Sequence, residues 1–215
     1  MVASWSEDTV DTIDLLIEPR RGLTQHLLRC NRTPQHLCPA LFTGPHGNSI
    51  PVGDYEVVLM VASGYGIAAQ LPYLKQLLHN YNRRSVRSRR IHLVWELKTL
   101  DLANAIEILL NNALDEDTLD NGYILQISVY VEQVQIGQRI SRRAEVIKGL
   151  PDWHSIIEEE VKGKLIKRVQ EESPTIDSMI VTVSASASVR QDLRANVKRH
   201  VGDGVSLVEL DYQPS

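Results

Sequence analysis

The sequence predicts an α/β fold: a doubly wound, mostly parallel sheet of five strands with helices on both faces. Three observations carry this. Apolar runs of strand length alternate with helical amphipathic stretches from residue 57 to the carboxyl end. The first run, VVLMVA at 57–62, is apolar on both of its faces, as a strand covered from both sides must be. It then passes through Gly64 and Gly66 straight into a helix.

That helix is read from Ile67, Leu71, Leu74, Leu77, Leu78 and Tyr81, which recur at helical spacing and turn one face to the sheet. The second strand is IHLVWEL at 91–97, followed by a helix over 100–114 with Leu102, Ala105, Ile106, Leu109, Leu110 and Ala113 on one stripe. ILQISVYV at 124–131 is the third strand, rich in β-branched and aromatic residues. A long polar connection is expected over 132–148. Asp152 then caps a helix whose stripe is Trp153, Ile156, Ile157, Val161, Leu165 and Val169. Residues 179–183 form the fourth strand. Ser188 and Gln191, at capping-box spacing, open a helix carrying Val189, Leu193 and Val197, and 205–210 close the sheet as the fifth strand. Ligands of such sheets bind beyond the carboxyl ends of the strands, where strand order reverses. The crevice is therefore expected at residues 63–66.

A strand, a glycine turn and a helix in direct succession make a seat for phosphate, because the unbonded N–H groups and positive dipole end of the helix point at the turn. The full dinucleotide fingerprint has a third glycine, which here is Ala69, and Pro72 follows within the second turn. The competing reading is a plain tight connection. If Gly66 faces the phosphates, Gly66→Val is expected to abolish nucleotide affinity while leaving the fold largely intact.

Composition narrows the classes. A chain of 215 residues, 43% hydrophobic, can bury one substantial core. A net charge of −4 gives no reason to expect a nucleic-acid partner. No apolar run approaches the roughly 20 residues that span a bilayer, and the acidic start MVASWSEDTVD is unlike a secretory signal. Cys30 and Cys38 are too few for a disulfide scaffold, which fits a reducing compartment. Before residue 55 the pattern changes. Ile13, Leu15 and Ile17 fall at every second position among Thr12, Asp14, Leu16 and Glu18, residues 23–29 suit a short helix, and ALFTGPHG at 40–47 reads as a strand stopped by a turn.

Four pieces in the right order give the chain a family resemblance: the turn Gly44-Pro45-His46-Gly47, the segment VLMVASGYGIAAQLPYLKQL, the strand IHLVWEL, and the end VSASASVRQDLRANV with LVELDYQP. Together they resemble the NAD(P)H-binding domain of fungal ferric-chelate reductases, in the ferredoxin-reductase-like and NADPH-oxidase-like superfamily. The resemblance implies residues 1–54 as the remnant of a flavin-binding barrel with its linker, and 55–215 as the NAD(P)H-binding domain. It implies hydride transfer from NAD(P)H to FAD on a neighbouring barrel, then single electrons through haems of a membrane module to ferric iron. Residue by residue, Ser63, Gly64, Gly66, Ile67 and Ala68 cradle the pyrophosphate, Ser184 and Ala185 border the nicotinamide, and Tyr212 approaches the flavin. The chemistry belongs to the cofactors, so no side chain is assigned as acid, base or nucleophile. The implied place is the cytoplasm, on the cytosolic face of a membrane through the parent protein.

Two departures qualify this. Val183-Ser184-Ala185-Ser186 stands where many relatives carry a cysteine-glycine pair, and no Arg-x-Tyr/Phe-Ser/Thr segment or haem-bearing span is present. Either the chain is a fragment, or another polypeptide supplies the flavin half in trans. Two rival classes stay open: a catalytically silent binding or regulatory fragment, and another nucleotide-dependent enzyme such as a methyltransferase.

The remaining constellations are weighed against bland readings. Arg83, Arg84, Arg87, Arg89 and Arg90, without interleaved aromatics, read as a solvated helix-to-strand loop rather than a nucleic-acid site, with attraction to an anionic leaflet as a second alternative. Glu96 ends the second strand where it can accept from a ribose hydroxyl, favouring NADH, while Arg142 and Arg143 can meet a 2′-phosphate. Coenzyme preference stays open. The seven histidines show no metal spacing, and Trp5, Trp95 and Trp153 read as packing residues.

Overall fold

The computed structural model describes residues 1–30, 49–118, 124–133, 144–163 and 178–210. Six strands form one sheet in the order β4-β3-β2-β1-β5-β6: β1 Val57–Ser63, β2 Arg90–Leu97, β3 Leu125–Val131, β4 Ala144–Lys148, β5 Met179–Ser184 and β6 Val205–Glu209. Every neighbouring pair runs parallel. The helices are α1 Leu23–Cys30, α2 Ile67–Asn82, α3 Asp101–Ala105, α4 Glu107–Glu116, α5 Trp153–Val161 and α6 Ala187–Val197.

Alternation along the strands divides the core in two. Val58, Met60, Ala62, Leu93 and Trp95 pack with Ile67, Leu71, Leu74 and Leu110 of α2 and α4 on one face. Val57, Leu59, Val61, Val181 and Val183 pack with Trp153, Ile157, Val189 and Leu193 of α5 and α6 on the other. Both faces are covered, which is why the central strands read as continuous apolar runs. Strand order runs outward from β1 through β2 and β3 to β4, then returns to place β5 on the far side of β1. The switch point thus lies between β1 and β5.

Three local expectations are corrected. The sheet has six strands rather than five, because residues 144–148, expected within a polar connection, pair with β3 from Ile127↔Ala144 to Val131↔Lys148. As an edge strand, β4 is only half covered and carries Glu145 and Lys148 among its five residues, so it lacks the apolar run of its neighbours. The single helix expected over 100–114 breaks at Ile106, whose φ of −112° and ψ of 13° leave the helical region while its side chain stays buried. Apolar periodicity passes through such a break unaltered. The α6 cap is Ser186 rather than Ser188: Ser186 Oγ accepts from Val189 N at 3.5 Å, and Ser188 lies within the first turn with its Oγ 3.0 Å away.

Asp152 does cap α5, accepting from His154 N at 3.2 Å and Ser155 N at 3.3 Å. Leu165 and Val169 of the expected stripe lie outside the described residues. In the amino-terminal segment Val2 and Leu15 form one antiparallel bridge, and Ala3 is buried against the first core cluster. Ile13, Leu15 and Ile17 are exposed. The turn at residues 44–47 also lies outside the described residues.

Candidate functional site

The carboxyl rim of β1 is built by a 3-10 turn, Gly64–Gly66, that joins Ser63 to α2. Its two glycines do different work. Gly64 has φ +51°, a left-handed conformation that side chains disfavour, and a Cβ there meets nothing within 4 Å. It leaves open space above the turn. Gly66 is buried and right-handed: a Cβ there overlaps the Ser184 carbonyl oxygen, 2.8 Å from the carbonyl carbon and 3.2 Å from Ser184 Oγ. This corrects the sequence expectation for Gly66→Val. The missing side chain makes room for the backbone of β5 rather than for a ligand, so the substitution strikes the fold.

Neighbouring elements hold the turn. Trp95, fully buried on β2, donates its indole N–H to Gly64 O at 2.9 Å. Sequence reasoning treated Trp95 as packing; its polar edge fixes the turn as well. Trp95→Phe removes the indole N–H and leaves a gap where the larger ring stood, while Gly64 O keeps its other donor, the Ile67 N–H. It is expected to lower stability by about 2 kcal/mol in urea denaturation and to weaken nucleotide binding in titration.

Ser63 Oγ accepts from Ser186 N at 2.7 Å, tying the end of β1 to the cap of α6. Two helix amino termini therefore open on the same rim at the switch point, one on each side of the sheet, and both favour negative charge. Ile67 and Ala68 bury their side chains, and the Ile67 N–H is donated to the Gly64 and Tyr65 carbonyls, so of these two residues it is the Ala68 backbone that is left to serve a ligand. Ser184 is 1% exposed, and among the described residues its Oγ is the buried side-chain polar atom without a hydrogen-bond partner. Ala185 beside it packs on the second core cluster. Tyr212 lies outside the described residues, as do Arg142 and Arg143.

The rim toward β2 and β3 is acidic. Glu96 stands in register with Ser63, and burial first, then Glu132 and Asp192, push its carboxyl above the ordinary glutamate value. Tyr65, between the two glycines, has its hydroxyl pushed up by burial and by Glu18.

The arginine run lies at the opposite, amino-terminal end of the strands, where it leads into β2, and is not uniformly solvated. Arg83 pairs with Glu7 and Arg89 with Glu56, whereas Arg90 is buried and held by Glu160. Among the described residues no cluster of His, Cys, Asp or Glu has the makings of a metal site. None of their helices is long and apolar enough to cross a membrane.

A parallel doubly wound sheet with an open glycine turn at its switch point defines a nucleotide-binding α/β domain. More narrowly, the chain belongs to the ferric reductase NAD-binding domain family, whose model matches residues 55–200, in agreement with the resemblance read from the sequence. It is a nicotinamide-nucleotide-binding domain of oxidoreductase type. No curated protein matches the chain. Among solved structures, the CS-b5R domains of human Ncb5or in the NAD+ form are similar at 13% identity and a TM-score of 0.47, covering 94% of this chain and 51% of that one. The chain thus spans about half the length of that neighbour.

Proposed function

We propose that the chain holds NAD(P)H across the rim at residues 63–68 and presents the nicotinamide at Ser184 and Ala185 to FAD on a neighbouring module, in service of ferric-chelate reduction. The observation that carries the reading is the pairing of an open Gly64 turn with the unpartnered Ser184 hydroxyl at the switch point. When bound, the reduced coenzyme would supply a hydride, two electrons with a proton, to the flavin, from which the electrons would leave singly through haems to two ferric ions and the proton to water. The protein's own part is to bind and orient. Backbone N–H groups at the start of α2 face the pyrophosphate, Trp95 and Ser63 keep the turn in register, and Ser184 offers a hydroxyl to the nicotinamide end. In the same proposal residues 1–54 are the remnant of a flavin barrel, and the flavin and haem module joins in cis or in trans at the cytosolic face of a membrane.

Calorimetric titration of the chain with NADH, NADPH and S-adenosylmethionine tests the first half. Saturable binding of a nicotinamide nucleotide is expected, and its preference decides between the Glu96 and arginine readings. Binding of S-adenosylmethionine alone supports the methyltransferase rival. Ser184→Ala is expected to stabilise the free protein by about 1 kcal/mol, since it removes an unpaired buried hydroxyl, while lowering coenzyme affinity several-fold. The second half is tested by ferric-chelate reduction with added FAD and a flavin barrel. Binding without reduction under any flavin supply marks a silent fragment.

A further inference from the structure

The first turn of α2 is weakened by its own sequence. Pro72 has no N–H, so the Ala68 carbonyl loses its donor four residues on, and the proline ring crowds that carbonyl. The residues that face a phosphate therefore sit on a turn incompletely tied to the rest of the helix. Gln70 lies within that turn and is fully buried. Its Nε2 donates to Val61 O at 2.9 Å and Thr182 O at 3.1 Å, and its Oε1 accepts from Thr182 Oγ1 at 2.9 Å. Its amide thus bridges β1 and β5, the two strands that flank the switch point. Gly66 lies four residues earlier on the same side of α2 and meets Ser184, two residues after Thr182 on the same face of β5. A glutamine fixed in one rotamer gives up more side-chain entropy than a buried leucine does. Filling space does not require it.

We infer that Gln70 is a positioning residue: its bonds to β1 and β5 replace the helical bond that Pro72 removes and hold the phosphate-facing turn in place. The inference rests on the coenzyme-binding reading for its purpose, though not for its physical effect. In the full chain, Gln70→Met keeps length and removes all three bonds. Amide exchange across residues 67–71 of the coenzyme-free protein is expected to quicken about tenfold, with exchange in β1 and β5 unchanged, and affinity for the nicotinamide nucleotide to fall about tenfold. Pro72→Ala returns an N–H to the Ala68 carbonyl. Alone it leaves affinity unchanged; combined with Gln70→Met it recovers most of both losses, which a purely space-filling role for Gln70 does not predict. Should Gln70→Met fail to fold, Thr182→Val removes one of the three bonds and carries the same two readouts, with Thr182→Ser restoring them. Unaltered exchange in the turn, or losses that Pro72→Ala does not recover, overturn the inference. Because exchange is read without coenzyme, a chain that binds no nicotinamide nucleotide overturns the functional reading and leaves the exchange result to decide this one.

Discussion

Gly66→Ala destabilises the chain by about 3 kcal/mol, and Gly66→Val by more, with nucleotide affinity lost as a consequence of the disturbed turn. The added Cβ overlaps the Ser184 carbonyl oxygen, and backbone on β5 cannot swing aside as a flexible side chain can. Relief requires α2 to move off the sheet, which strips packing from Ile67 and Leu71, both fully or almost fully buried, and stretches the bonds of Gln70. Urea denaturation measures the loss. In a protein of this size it corresponds to a melting temperature lower by roughly 6–12 °C. Full stability in Gly66→Ala would contradict the close approach of the turn to β5.

Glu160→Leu is expected to lose about 3–5 kcal/mol, because it leaves the Arg90 guanidinium buried without a counter-charge. The Glu160 carboxylate accepts from Arg90 Nε at 3.2 Å, Arg90 Nη2 at 3.0 Å and His92 Nδ1 at 2.7 Å. Partner chemistry assigns the imidazole tautomer. The carboxylate only accepts, so Nδ1 carries the proton, and the Ser128 hydroxyl, which accepts from Gln126 Nε2 at 3.3 Å, donates to His92 Nε2 at 2.9 Å. Arg90 also donates to Gln126 Oε1, so the cluster bridges β2, β3 and α5.

Burial works to raise the Glu160 carboxyl, but the hydrogen bonds from His92 and Arg90 outweigh it and hold the group below the ordinary glutamate value. The folded pKa is thus lower than the unfolded one, about 4.3. The stabilisation is complete above that value and is lost as pH falls through the folded pKa. Denaturation midpoints measured from pH 7 down to pH 3 are expected to show a steep acid limb in the parent and a shallower one in Glu160→Leu. Replacing Arg90, His92 and Glu160 together by apolar residues of similar volume is expected to restore most of the stability, since no charge is then stranded. A triple variant as weak as Glu160→Leu would contradict that account.

Most of the architecture was legible in advance, for reasons particular to each element. The strand at Val57–Ser63 is buried on both faces, so its apolar run is unbroken, and the glycines after it mark the turn. The α5 cap was legible because Asp152 acts on its own nearest neighbours. β4 was not, since an edge strand needs only half the apolar residues of a central one. Arg90 was counted with a solvated run because the residue that buries it, Glu160, is 70 positions away. Gln70 carried no signal at all: its partner Thr182 lies 112 residues on. At the site itself Gly64 leaves open space above the turn, whereas Gly66 faces β5. The family was recognisable from the string SGYGIAAQLPYLK and its companions, and the family model agrees.

Periodicity, glycine placement and capping residues are local properties, and they suffice for the five strongly apolar strands, the course of most helices and the glycine turn, while the family was recognised by resemblance of its motif strings. Who meets whom across the sheet is another matter. That β5 returns beside β1, bringing Ser184 under Gly66, Thr182 to Gln70 and the cap of α6 to Ser63, depends on strand order. Strand order is set by how two core layers close around the whole sheet, and no short stretch of the chain encodes it.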